Sequence, residues 1–73
     1  MVQLGERLKL LRKERGLKQR EMAEQFGIAL ITYQCYEYAS RTPDLPSLIA
    51  IADFFDVSLD YLVGRKWPKN KRT

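Results

Sequence analysis

A chain of 73 residues has room for one domain, and folding at that size buries only about 60% of the unfolded chain's surface, so the core has to be compact. The 45% hydrophobic and 30% charged residues fit a folded protein and not a disordered one. A lone cysteine, Cys35, excludes an internal disulfide, and the absence of histidine removes the usual metal ligand and general base, which leaves enzyme, metal, cofactor and small-molecule readings without support.

Leu4, Leu8 and Leu11 recur at helical spacing and predict a first helix from about Val2 to Arg15. Gly16 closes it, and Leu17 is expected to fold back on the last turn. A second helix is predicted over Gln19 to Phe26, with Met22, Ala23 and Phe26 on its buried side, ended by Gly27 with Ile28 tucked in. A third should run from Leu30 to Tyr38. Ala29, at its start, offers no side-chain oxygen, so roughly 1 kcal/mol of capping is forgone. Tyr33, Tyr36 and Glu37 share one face of this helix, and Leu30, Ile31, Gln34, Cys35 and Tyr38 the other, so both faces carry large apolar groups.

Residues 39–43 read as a loop, with Pro43 stiffening the approach and Asp44 capping a fourth helix over Leu45 to Phe55. Leu48, Ile49, Ile51, Ala52 and Phe55 are too many for a narrow stripe and predict a central, buried helix. Ser58 caps a short fifth helix, anchored by Leu59 and Leu62 and stopped by Gly64. The organisation expected is therefore an all-α, five-helix domain over residues 1–64 and a basic C-terminal tail over 65–73, with Trp67 either folded onto the core or helping a dimer contact.

Charge is distributed unevenly. Residues 1–20 carry Arg7, Lys9, Arg12, Lys13, Arg15, Lys18 and Arg20 against Glu6 and Glu14; residues 21–64 carry Arg41 against seven acids; the tail adds Arg65, Lys66, Lys69, Lys71 and Arg72. Two basic ends around an acidic middle suit a polyanion touched by part of the surface, or else a solvated exterior. No apolar run approaches a membrane span, and Arg7, Lys9, Arg12 and Lys13 interrupt what a secretory leader would need, so a cytoplasmic protein without membrane contact is expected.

Gln19 to Ile28 followed by Thr32 to Glu37 has the pattern of a helix, a tight turn and a second helix. Ala23 is small where the axes would cross, and Ile28 and Tyr33 fill the angle. With Leu8, Leu11 and Arg12, Gly16-Leu17-Lys18-Gln19, Glu21-Met22-Ala23, Phe26-Gly27-Ile28, Tyr36-Glu37, Arg41-Thr42-Pro43 and the run from Leu48 to Gly64, the chain resembles the Cro/C1-type helix-turn-helix family. These are the phage repressors and related small bacterial regulators of the Xre family. The resemblance covers residues 4–64. It implies a lambda-repressor-like fold with the helix-turn-helix at the second and third helices, and a sequence-specific regulator of transcription, a repressor, that binds double-stranded DNA.

Carried over position by position, the base-reading sites of the family fall on Leu30, Ile31 and Cys35, with Thr32 and Gln34 beside them. Gln19 matches a glutamine that touches phosphate and braces the third helix; Tyr38 and Arg41 match backbone-contacting positions; Arg12 and Glu37 match a pair that bridges the first and third helices. Lys18 and Arg20 flank Gln19 at a helix N-terminus, a natural seat for phosphate. Family members place polar or basic groups on the outer face of the third helix, whereas this one has neither Arg nor Lys. Either Leu30, Ile31 and Cys35 meet thymine methyls while Gln34 or Thr32 supplies a hydrogen bond, or the apolar face covers a protein partner, as in an antitoxin-like interaction module. On the DNA reading a homodimer is expected, because one short helix reads too few base pairs to be selective.

Overall fold

The computed structural model describes residues 2–64: α1 (Val2–Glu14), α2 (Gln19–Phe26), α3 (Leu30–Glu37), α4 (Leu45–Phe55) and α5 (Leu59–Leu62), with no strand among them. The expected basic tail, Trp67 included, lies outside the described residues. The leucine ladder of α1 is at the centre of the fold. Leu4, Leu8 and Leu11 are 1%, 0% and 3% exposed, and they meet Met22 and Ala23 of α2, Tyr33 of α3, Leu48, Ile51, Ala52 and Phe55 of α4, then Val57 and Leu62. Each such side chain fully withdrawn from water contributes about 1.5–3 kcal/mol, so this one cluster supplies most of the drive to fold.

Four helices end by the same device. The N–H of the second or third residue past the end reaches back five positions, from Leu17 to Arg12, Ile28 to Ala23, Ser40 to Cys35 and Val57 to Ala52, all within 3.0–3.1 Å. The residue before it takes a positive φ. At Gly16 and Gly27 this costs nothing sterically, but Ala39 (φ 62°) and Asp56 (φ 54°) hold the same left-handed conformation with a Cβ present. These reverse bonds also explain why α1 and α3 stop at Glu14 and Glu37, one residue short of the expected ends: Arg15 and Tyr38 already belong to the closing turns. In three of the four cases the following apolar residue folds inward, Leu17 and Ile28 against the core and Val57 into it at 2% exposure.

The N-termini of α4 and α5 are capped as their sequences predict. Asp44 Oδ1 accepts from the Ser47 N–H at 3.0 Å, and Ser58 Oγ accepts from the Tyr61 N–H at 3.0 Å. Two expectations about these helices need correction. Helix α4 is buried along one face only: Leu48, Ile51, Ala52 and Phe55 face in, whereas Ile49, one step of about 100° off that stripe, is 43% exposed beside exposed Leu45 and Ala50. In α5, Leu62 is fully buried but Leu59 is 37% exposed, because Val57 already occupies the core before this single turn begins.

Helix α1 crosses α3 at Gly5. A β-carbon there would be driven into the Glu37 carbonyl oxygen and press on that of Tyr36, so the absence of a side chain sets how closely the two backbones approach.

Candidate nucleic-acid interface

Three residues, Gly27 to Ala29, separate α2 from α3. Ala23, 4% exposed, lets the helices pack closely, and Tyr33 is wholly buried in the angle between them. Edge-on contacts from Phe26 to Phe54 (centroids 5.6 Å) and on to Phe55 (5.0 Å) help tie α2 to α4. The pair α2–α3 is thus held on two sides, which fixes the direction in which the outer face of α3 points.

A buried polar cluster holds α3 to α1. Glu37 Oε2 accepts from Arg12 Nε at 2.6 Å and from the Tyr33 hydroxyl; Oε1 accepts from Arg12 Nη2 at 3.2 Å and from Gln19 Nε2 at 3.1 Å. Arg12 Nη1 donates to the Leu17 carbonyl at 2.8 Å, so the same guanidinium also braces the turn after α1. Burial alone would raise the Glu37 carboxyl, but donors on both oxygens, Arg12 above all, hold it below the ordinary carboxylate range. Its hydrogen bond likewise raises the Arg12 guanidinium. Burial pushes the Tyr33 phenol well above its usual value. No buried side-chain polar atom is left without a partner among the described residues.

On the outer face of α3, Ile31 is 65% exposed, and Thr32, Gln34 and Cys35 are half-buried. Leu30 is also half-buried, packed in part against the core, which leaves less of it on the surface than the helical pattern alone suggests. Tyr38 is 65% exposed at the far end of the helix, followed by exposed Arg41. Gln34 Nε2 donates to Gln19 Oε1 at 3.1 Å, so this face is bonded directly to the first residue of α2. Lys18 and Arg20 stand exposed on either side of Gln19. The remaining basic residues of α1 and its closing turn divide: the Arg7 guanidinium lies 4.5 Å from the centre of the Tyr61 ring and that of Arg15 lies 5.2 Å from those of Phe54 and Phe55, while Lys9 and Lys13 are exposed.

Sequence reasoning missed three contributors. Glu21 accepts the Lys18 backbone N–H at 2.8 Å and so caps α2, a role that a glutamate three residues into a helix can signal. Its carboxylate therefore already occupies a backbone donor at the N-terminus of α2. The Tyr33 hydroxyl completes the Glu37 cluster; its four-residue spacing from Glu37 was visible, its burial was not. Gly5 has no local signal at all.

Two short helices joined by a three-residue turn, the first seated on the core and the second presenting an outer face, form a helix-turn-helix domain. The helix-turn-helix family model matches residues 8–62, and the chain belongs to this Cro/C1-type family. It is 48% identical over 59 residues to the HTH-type transcriptional regulator YqaE of Bacillus subtilis, covering 81% of this chain and 51% of that protein. It is 42% identical over 59 residues to YobD, another HTH-type transcriptional regulator of B. subtilis, covering 81% and 53%. With the cryptic phage CTXphi transcriptional repressor RstR of Vibrio cholerae it shares 38% identity over 64 residues, covering 88% and 57%. The chain spans about half the length of the curated relatives it matches. No helix among the described residues is long and apolar enough to cross a membrane.

Proposed function

We propose that this chain is a sequence-specific double-stranded DNA-binding regulator of transcription, acting as a repressor in the cytoplasm, with α3 in the major groove. The observation that carries the reading is the bond from Gln34 to Gln19, which joins the outer face of α3 to the cationic start of α2. Bases and flanking phosphates then fall within one continuous surface. Ile31, with the exposed parts of Leu30 and Cys35, meets thymine methyls, and Gln34 and Thr32 supply hydrogen bonds, which favours A·T-rich sites. Lys18, Gln19, Arg20, Tyr38 and Arg41 hold the phosphate backbone, and Arg12 and Glu37 keep α3 at its angle. Two copies on a partly symmetric site give the selectivity that one short helix lacks.

Limited apolar exposure on α3 favours DNA over a protein partner. Of the five residues that could form an interaction patch, Leu30 and Cys35 are half-buried, leaving Ala29, Ile31 and Tyr38 in the open. Selection of bound duplexes from a random library at two salt concentrations tests the proposal. Log affinity should fall steeply with log salt, by about 0.9 per phosphate neutralised, and a shared sequence should emerge. Salt-insensitive binding, or binding without sequence preference, defeats it.

A further inference from the structure

Resting on the reading of Gln34 as a base contact, we propose that Glu37, acting through Gln19, locks the Gln34 amide in one orientation, so that this position accepts adenine and rejects guanine. An ionised carboxylate can only accept hydrogen bonds. Glu37 Oε1 therefore requires the NH2 end of Gln19, 3.1 Å away, and turns the carbonyl oxygen of Gln19 outward. That oxygen in turn requires the NH2 end of Gln34, at 3.1 Å. Turning either amide over would set oxygen against oxygen or N–H against N–H. The direction of every bond in the relay follows from one negative charge whose side chain is fully covered by the fold.

The consequence lies in what remains for a base. Gln34 has two N–H groups, and Gln19 takes one of them. One N–H and the carbonyl oxygen are left for a base. Adenine offers a complementary pair in the major groove, an acceptor at N7 and a donor at N6, whereas guanine offers acceptors at both N7 and O6. A free glutamine could turn both of its N–H groups toward guanine. A glutamine with one already engaged would place its oxygen against O6. Glu37 and Gln19 are in this sense positioning residues, and the specificity is expressed at Gln34.

The test uses duplexes that differ at a single base pair, bound by the parent chain, Gln34→Ala and Gln19→Met. The position read by Gln34 is the one whose preference Gln34→Ala removes. There the parent should favour adenine over guanine by roughly tenfold or more, and Gln19→Met should bring the two within about threefold while preferences elsewhere persist. A merely structural role for Gln19 would lower all affinities together. Full adenine preference in Gln19→Met, or a parent preference for guanine at that position, overturns the inference but leaves Gln34 as a reader. If Gln34→Ala changes no position, the base-contact reading itself fails, and the inference with it. Independently of DNA, the side-chain amide NMR signals of Gln34 should shift in Gln19→Met; unmoved signals would show that the relay does not form.

Discussion

The Nε of Arg12 stands 2.6 Å from Oε2 of Glu37, joining the first helix to the third inside the core. Because the Glu37 side chain is wholly covered and that of Arg12 only 10% exposed, loss of either partner strands the other. Arg12→Met or Glu37→Met should each destabilise the domain by about 3–5 kcal/mol. The paired change to Met at both positions should cost clearly less than the sum, since it leaves no orphan charge. Urea unfolding of the three variants measures this; strict additivity would mean that the pair is not coupled.

The same cluster sets a pH window. Glu37 is held below its ordinary value of about 4.3, so its contribution is complete above that pH and is lost as pH falls through the depressed folded-state value. Tyr33 is raised above its ordinary value of about 10, so its contribution is complete below that pH and is lost as pH rises beyond it. Stability from this cluster should therefore be level between roughly pH 5 and 9.5 and fall on both sides. Glu37→Gln should flatten the acid limb and Tyr33→Phe the alkaline one, as read from urea midpoints across pH.

Replacing Gly5 by Ala raises helix propensity by about 1 kcal/mol, yet it should destabilise the protein. The added methyl collides with the Glu37 carbonyl, a backbone atom that cannot swing aside. Overpacking of this kind costs about 1–3 kcal/mol, and here it also pushes α3 away from α1. A higher melting temperature for Gly5→Ala would show that the two backbones leave room for a methyl group at this crossing.

The end of α3 offers the opposite case. Ala39 carries a Cβ at φ 62°, where left-handed geometry costs roughly 1–2 kcal/mol. Even after the greater freedom of glycine in the unfolded chain, about 0.4–1 kcal/mol, Ala39→Gly should be stabilising. Thermal unfolding should show a rise of a few degrees.

At the other end, Ala29 sits in extended backbone as the cap of α3 with no side-chain acceptor. Ala29→Ser should add about 1 kcal/mol by accepting a free N–H of the first turn. Unchanged stability in a scanning calorimeter would mean that solvent already satisfies those groups equally well.

Much of the fold was legible because its signals are local. Apolar spacing placed all five helices, and Gly16, Gly27, Asp44 and Ser58 marked their ends, since caps and left-handed turns are decided within a few residues. Ala39 and Asp56 were harder to read as helix ends because nothing in their own side chains demands a positive φ; the closing bonds and the pull of Val57 into the core impose it. The burial of Ile49 and Leu59 was misjudged for a related reason. Periodicity says which residues share a face, whereas the number of apolar positions the core can accept depends on the neighbours that fill it first.

The sequence by itself determined the helix-turn-helix: two amphipathic segments, a glycine between them and a family pattern across most of the chain. Tertiary structure decided how α3 is held. The bonds of Glu37 to Arg12 and Gln19, the bond of Gln19 to Gln34, and the Gly5 crossing all join residues distant in sequence. Their energies depend on burial and on orientation within a few tenths of an ångström, quantities that no local pattern of residues encodes.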